Sequence, residues 1–286
     1  MTREAAIVEL AAWLRTPPGR YLLAWEQARL DLAVADLFGF HALQLGLPEL
    51  QGLRANRMPH RWLALEHPDQ AAADWQASVP PVDAAQSGFS QFGSDSLLAP
   101  GGASLFSEFD ALPFEAASLD LVVLPHTLEF APDPHRTLRE VERVLRPEGR
   151  LVILGINPAS AWGLRQNLGR LQLRLPAASP PLYLPAAGDF IGYWRLRDWL
   201  RLLSFEVEGA QFGAYAPPLK SDKWLARWRW LENVGQRWWP VLGACYFLVA
   251  VKRVHGMRLV GLARQPARAK QARAAVALHQ HHKIDR

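Results

Sequence analysis

The chain has 286 residues, of which 50% are hydrophobic, and this length fits one α/β domain followed by a tail. Its single cysteine, Cys245, excludes a disulfide framework or a zinc site built from thiolates, and we expect no metal site and a reducing, cytoplasmic setting. No apolar stretch approaches the length needed to span a bilayer, so we expect no transmembrane segment.

The formal net charge of +5 is distributed unevenly along the chain. Residues 254–286 contain seven Lys or Arg residues and one Asp, so the preceding 253 residues sum to about −1. This tail is rich in Ala, Gln and Arg and has little apolar periodicity, which predicts disorder. A basic tail can bind an anionic partner weakly, either a nucleic acid or a membrane surface, or it can simply keep the chain soluble.

Two helices, over residues 3–14 and 21–38, are predicted in an N-terminal preface that ends at residue 38. They are separated by the Pro- and Gly-containing residues 16–19. The remaining residues up to 253 alternate between apolar runs and helical patterns, as expected of an α/β domain. Seven runs are predicted to be strands, at residues 41–46, 61–66, 103–109, 119–124, 151–154, 205–207 and 243–251.

The runs at 119–124 and 151–154 are almost entirely apolar, which is typical of parallel strands covered on both faces. Between them, Asp133 suits a helix N-cap and Pro134 the first helical position, so a crossover helix is predicted there. Further helices are predicted at 48–56, 197–203 and 222–239. In the last of these, Trp224, Trp228 and Leu231 share a face that we expect to be buried, with an aromatic pocket or a membrane-interface helix as the alternatives.

An ordered series of motifs between Asp110 and Leu151 resembles the class I S-adenosylmethionine-dependent methyltransferases, type 11 subfamily. The resemblance implies a Rossmann-like, doubly wound sheet of seven mostly parallel strands with an antiparallel last strand. It also implies S-adenosyl-L-methionine as cofactor and a methyl acceptor, which we expect to be a small molecule. Glu148 stands where the family usually has a glycine. The motifs are residues 110–114, 119–123, 126–129, 133–134, 138–141 and 143–151.

The glycine-rich cofactor loop of the family is degenerate in this chain. Gly46 is retained after the first strand, but Gln44 replaces the family's acidic residue, and Pro48 and Leu50 replace two further glycines. Those glycines let the backbone approach the methionine part of the cofactor without a Cβ in the way. The loss of two of them weakens the expectation of cofactor binding.

The resemblance assigns roles to residues at the ends of the following strands. Glu66 is expected to accept hydrogen bonds from the cofactor ribose, and Asp110 from the adenine amino group, with Ala111 and Leu112 beside it. His126 is the one side chain in this region suited to proton removal near neutral pH, and is the candidate catalytic residue. Methyl transfer can also proceed by positioning alone, in which case His126 is a hydrogen-bonded structural residue.

Three functions remain open from the sequence. The first is a methyltransferase that acts on an unidentified small-molecule acceptor. The second is a non-catalytic binding or scaffold protein that has kept the fold and has a vestigial cofactor site. The third is an RNA-modifying methyltransferase that uses the basic tail, which the nearly neutral charge of the first 253 residues disfavours.

Overall fold

A computed structural model of the protein describes residues 3–66, 102–172, 182–186 and 188–253. Within these residues the chain forms one seven-stranded sheet flanked by helices. The strands are β1 His41–Leu45, β2 His60–Leu65, β3 Gly102–Phe106, β4 Leu119–Pro125, β5 Leu145–Ile156, β6 Phe205–Gly213 and β7 Cys245–Lys252.

The strand order across the sheet is β3-β2-β1-β4-β5-β7-β6. Strands β1 to β5 pair in parallel, whereas β7 pairs antiparallel with both β5 and β6. The predicted fold class, a mostly parallel seven-stranded sheet with an antiparallel last strand, is confirmed. Since β5 and β6 both run opposite to β7, the carboxyl ends of β1 to β6 all lie at one edge of the sheet, here called the carboxyl edge.

Eight helices accompany the sheet in the described residues. The second begins at Pro17 and not at the predicted Tyr21. Thr16 is extended, and the prolines that follow it occupy the first helical positions, where an N–H group would have no partner within the helix. The helices are α1 Arg3–Leu14, α2 Pro17–Ala35, α3 Thr127–Phe130, α4 Pro134–Val144, α5 Ala161–Gln172, α6 Tyr193–Leu202, α7 Asp222–Arg227 and α8 Leu231–Trp238.

Helices cover both faces of the sheet, as the apolar runs predict. In β4, Val122 and Leu124 face a buried cluster with α4 and α6, whereas Leu121 and Val123 face a second cluster with α1 and α2. The two clusters place the central strands between two apolar layers. At the start of α4, the Asp133 side chain accepts hydrogen bonds from the backbone N–H groups of the first helical turn, which confirms the predicted cap.

Several predicted boundaries differ from the structure. Strand β6 continues to Gly213, because it is an edge strand whose alternating polar side chains are solvated and leave no continuous apolar run. The predicted helix at 222–239 is split into α7 and α8, and Trp224, predicted to be buried, is exposed. No helix in the described part of the chain combines the length and apolar character of a membrane span. The predicted basic tail and the segment 67–101 lie outside the described residues.

Candidate functional site

Gly46 ends β1 at the carboxyl edge and is buried there. Its backbone N–H donates to the carbonyl oxygen of Ala64 in β2 at 2.8 Å, and its φ of +73° lies in the left-handed region that favours glycine. A Cβ at this position would lie 3.5 Å from the ring of Phe109 and 3.9 Å from the hydroxyl oxygen of Thr127. The retained glycine therefore has a conformation that a side chain would strain.

The buried side chain of Gln44 holds the loop that follows Gly46. Its amide nitrogen donates to three backbone carbonyl oxygens, at 3.1 Å to Gly46, 3.0 Å to Leu47 and 2.7 Å to Leu50. Its oxygen accepts from the N–H of Gly52 at 2.8 Å. The helix predicted at 48–56 is wrong, because these residues form turns. The carbonyl oxygen of Leu50 accepts from the Gln44 amide, the N–H of Arg54 donates to Gln51 and not to Leu50, and Leu47 has a φ of +44°.

Glu66 and Asp110, the two acidic residues predicted to bind the cofactor, follow β2 and β3 at the same edge. Glu66 is half-buried, and its carboxylate accepts from the N–H of Phe109 at 3.4 Å, which brings the ends of the two strands together. Asp110 is exposed, and among the described residues its carboxylate has no hydrogen-bond or salt-bridge partner. Asp110 is thus available to a ligand as it stands.

The other two predicted contacts, Ala111 and Leu112, use their backbone amides within the protein. The N–H of Ala111 donates to the carbonyl oxygen of Glu108 at 3.2 Å. The N–H of Leu112 donates to the carboxylate of Glu140 in α4 at 2.8 Å, and Leu112 itself is buried. These bonds fix the conformation of the turn that presents Asp110, so the two residues act on the candidate site through the backbone.

His126, the predicted catalytic residue, lies fully buried at the end of β4. One ring nitrogen, Nδ1, is 3.0 Å from a carboxylate oxygen of Glu129, and the other, Nε2, is 2.9 Å from a carboxylate oxygen of Glu26 in α2. Glu129 also accepts a hydrogen bond from the N–H of Ile156 in β5. Both ring nitrogens are therefore occupied, and three chain segments meet at one imidazole.

The charges around His126 decide its protonation. Burial acts to lower the pKa of the imidazole, but the negative charges of Glu26 and Glu129 outweigh it and hold the pKa well above its usual value. For the Glu129 carboxyl the effect of burial has the opposite sign. Burial raises its pKa, and the interaction with His126 lowers it by less. An imidazolium between two carboxylates has no free nitrogen to accept a proton, so this geometry does not support the prediction of His126 as a general base.

Two residues of this region, Gln44 and Glu26, had no functional prediction from the sequence beyond Gln44 as a departure from the family. Glu26 is buried on α2 between Leu22 and Leu30, which precede and follow it by one helical turn. An acidic residue on an otherwise apolar helical stripe was the available signal, since a buried carboxylate needs a partner. Elsewhere in the described residues, no group of three or more His, Cys, Asp or Glu side chains is arranged to hold a metal ion.

The residues present fit one half of S-adenosyl-L-methionine better than the other. At the adenosine half, Asp110 offers a free carboxylate next to the half-buried Glu66. Gly46, with its left-handed backbone, suits a close approach of the methionine half. The loop beyond it is, however, closed by Gln44, whose side-chain amide is fully engaged with the backbone.

Part of the chain is similar in sequence to known proteins. Residues 97–153 match the model of a methyltransferase domain family, Methyltransf_11. The chain is 45% identical over 96 residues to the uncharacterized protein YafS of Escherichia coli (strain K12), and 35% identical over 77 residues to a demethylmenaquinone methyltransferase of Chlamydia pneumoniae. These matches cover 34% and 26% of this chain, and only about a third of each relative, 36% and 34%.

Among solved structures, the chain resembles one chain of a complex between the Haloferax volcanii Trm112 methyltransferase activator and a protein assigned as a methyltransferase. The TM-score is 0.53 at 17% sequence identity, over 87% of this chain and 97% of that chain. At this identity the similarity establishes the fold. The chain thus has the fold of this structure, and its residues 97–153 are similar in sequence to the Methyltransf_11 methyltransferase domain.

Proposed function

We propose that the protein is an S-adenosylmethionine-dependent methyltransferase that acts on a small-molecule acceptor in the cytoplasm. The observation that carries the proposal is the placement of Gly46, Glu66 and Asp110 at the ends of three adjacent strands on the carboxyl edge, where open α/β sheets bind their ligands. Asp110 would accept from the adenine amino group and Glu66 from the ribose hydroxyls, with Gly46 beneath the methionine part.

When bound, the cofactor would supply an electrophilic methyl group, and the protein would supply position. Transfer of a methyl group to a well-oriented acceptor is a displacement that needs no protein base. We assign His126 a positioning role: its two ion pairs join α2, the end of β4 and the start of α3 beneath the site. Ala111 and Leu112 would hold the turn that presents Asp110 to the adenine ring.

A second candidate function is a non-catalytic binding or scaffold protein, and one observation favours it. Gln44 satisfies the loop backbone with four hydrogen bonds, so the loop is complete without a ligand. A loop that has replaced ligand contacts by internal ones can persist after the binding function has been lost. The two candidates differ in a single measurable property, which is affinity for the cofactor.

Calorimetric titration of the full chain with S-adenosyl-L-methionine separates the two functions. We expect the wild-type protein to bind, and Asp110→Ala to bind about five- to thirtyfold more weakly because one hydrogen bond to the ligand is lost. Glu115→Ala is the matched control, since Glu115 is an exposed acidic residue five positions further along the same loop. If the folded wild-type protein gives no heat of binding at high cofactor concentration, the scaffold function replaces the enzymatic one.

A further inference from the structure

The stretch of chain between β6 and β7 includes a segment with an unusual surface, residues 222–242, here called the aromatic-basic segment. It comprises α7, α8 and the 3-10 turn Pro240–Leu242. Strand β7 runs opposite to β5 and β6, so β6 ends and β7 begins at the carboxyl edge. The chain between β6 and β7 therefore leaves the sheet and returns to it at this edge. The segment therefore lies at the same edge as Gly46 and Asp110.

The segment is attached to the rest of the protein through its polar groups. Asp222 forms a salt bridge with Arg20 of α2 at 2.9 Å. Glu232 accepts from the hydroxyl group of Tyr21 and from the N–H of Tyr215, the latter at 3.0 Å. Both acidic residues of the segment therefore bond to groups outside it. The charge that the segment presents to solvent comes from its four cations.

Leu225 of the segment is buried, but six of its large apolar side chains are exposed. Its four most exposed tryptophans are between 53% and 70% exposed, and two aliphatic side chains near its end are 44% and 46% exposed. A concentration of large apolar side chains on a surface marks a site of interaction. They are Trp224, Trp230, Trp238, Trp239, Val241 and Leu242.

Cations are interspersed with these apolar groups. Lys223, Arg227, Arg229 and Arg237 are all exposed, and the Arg227 guanidinium lies over the Trp224 ring, 5.8 Å from its centroid. Indole rings that are apolar at one end and can donate a hydrogen bond at the other suit the boundary between lipid tails and headgroups. Basic residues beside them are complementary to anionic headgroups.

This combination favours a bilayer over a nucleic acid as the partner. Tryptophan and arginine can stack on exposed bases. The exposed side chains of Val241 and Leu242, however, would not be buried in an apolar environment by contact with a polar, highly charged nucleic acid strand. Burial of those side chains requires an apolar phase. Because none of the described helices can cross a membrane, the contact would be confined to the interface.

We propose that the aromatic-basic segment binds the surface of an anionic phospholipid bilayer. Binding inserts the exposed indoles and the aliphatic pair at the headgroup boundary, while the four cations neutralise headgroup charge. It also turns the carboxyl edge of the sheet, which carries the candidate site, toward the membrane. This inference does not depend on cofactor binding, because it uses none of the residues assigned to the cofactor.

The test is sedimentation of the full chain with vesicles of phosphatidylglycerol and phosphatidylcholine, or of phosphatidylcholine alone. We expect the protein to sediment with the anionic vesicles and much less with the neutral ones, and added salt to release it because charge attraction is screened. The double substitution Trp238→Ala, Trp239→Ala should reduce the partition coefficient about tenfold or more. Removal of Lys223 and Arg237 should reduce it about fivefold for each cation.

Matched controls isolate the segment from the rest of the surface. Trp194→Ala removes an indole that is 63% exposed but lies on α6, and Arg139→Ala with Arg201→Ala removes two exposed cations of other helices. Both controls should sediment like the wild type, and all variants should keep its melting temperature. Equal sedimentation of the segment variants and the controls would overturn the proposal. So would binding to an RNA homopolymer, sensitive to the same substitutions, with none to anionic vesicles.

Discussion

Gly46 has a left-handed backbone conformation and belongs to the candidate cofactor site. Because its φ is +73°, Gly46→Val should lower the free energy of unfolding by about 1 to 2 kcal/mol or more, the cost of a left-handed conformation for a residue with a Cβ. It should also weaken cofactor binding by more than Asp110→Ala does, because the added side chain disturbs the backbone beneath the methionine part. Chemical denaturation and calorimetric titration measure the two effects.

Gly209→Val is the control for that substitution. Gly209 lies in the edge strand β6, and a Cβ there would meet no atom within 4 Å, so a valine should be accommodated at little cost. If both variants lost the same stability, the effect at Gly46 would reflect the loss of any glycine and not the left-handed backbone.

The buried histidine gives a prediction for the dependence of stability on pH. The pKa of His126 is raised in the folded protein, so the folded state binds its proton more tightly than the unfolded state does. The contribution of His126 is fully present below about pH 6.5 and is lost as the pH rises through the raised pKa. The free energy of unfolding should therefore fall above pH 6.5, by up to about 1.4 kcal/mol per pH unit for one proton.

Three other buried groups act in the same direction. Burial raises the pKa of Glu129, of Cys245 and of Tyr246, so each also favours the folded state more at low pH than at high pH. Urea unfolding between pH 6 and 9 measures the slope. In the variant His126→Gln the slope between pH 6.5 and 8 should become shallower. A stability that rose with pH over this range in the wild-type protein would contradict the proposed imidazolium between Glu26 and Glu129.

At the scale of elements, the loop after β1 is the feature that differs most from the sequence-based expectation. The family pattern and Pro48 at a good helix-starting position both favoured a helix at 48–56, but Gln44 bonds the carbonyl oxygen of Leu50 within this stretch and those of Gly46 and Leu47 just before it. A pattern of residues along the chain gives little information about a side chain that folds back onto the loop. The strands that flank the loop were predicted at 41–46 and 61–66 and lie within one residue of those bounds.

Substitutions at Gln44 test how the loop is held. Gln44→Ala removes four hydrogen bonds in a buried site and should lower the free energy of unfolding by about 3 kcal/mol. Gln44→Glu, which restores the acidic residue of the family, should be at least as destabilising, because a carboxylate would face three carbonyl oxygens now 2.7 to 3.1 Å from the amide nitrogen.

Chemical denaturation of both variants gives the comparison, with Gln51→Ala as a control for a glutamine in the same loop that is only half-buried. A Gln44→Glu protein as stable as the wild type would show that the loop can open at little cost. The cofactor titration would then be repeated with the Gln44→Glu protein, because cofactor binding in the family arrangement requires an open loop.

Sequence patterns predicted the site less completely than the fold. Gly46, Glu66 and Asp110 follow three adjacent strands at one edge of the sheet, as the resemblance implies, and their contacts with a cofactor stay a prediction. The ion pair between His126 and Glu26 was not predictable, because Glu26 precedes His126 by a hundred residues and belongs to α2. Glu148 has a φ of +63°, which explains why the family prefers glycine there.

At the scale of the whole molecule, charge and stability are expected to reside in different parts of the chain. Residues 254–286 carry all of the net positive charge. The last strand of the described sheet, β7, ends before them at Lys252. The amino group of Lys252 donates to the carbonyl oxygens of Glu142 and Leu145, which ties the end of β7 to the end of α4. The last core contact along the described chain is therefore near Lys252.

Removal of residues 256–286 should leave the melting temperature within about 2 °C of the wild-type value, since the tail is expected to add little to the core. The same truncation should change the net charge from +5 to about −1, so the protein should no longer bind a cation exchanger at pH 7. Truncation after Leu248 is the control, because it removes half of β7 and its pairing with β5 and β6, and it should abolish cooperative unfolding. A large loss of stability on removal of 256–286 alone would show that the tail packs against the folded domain.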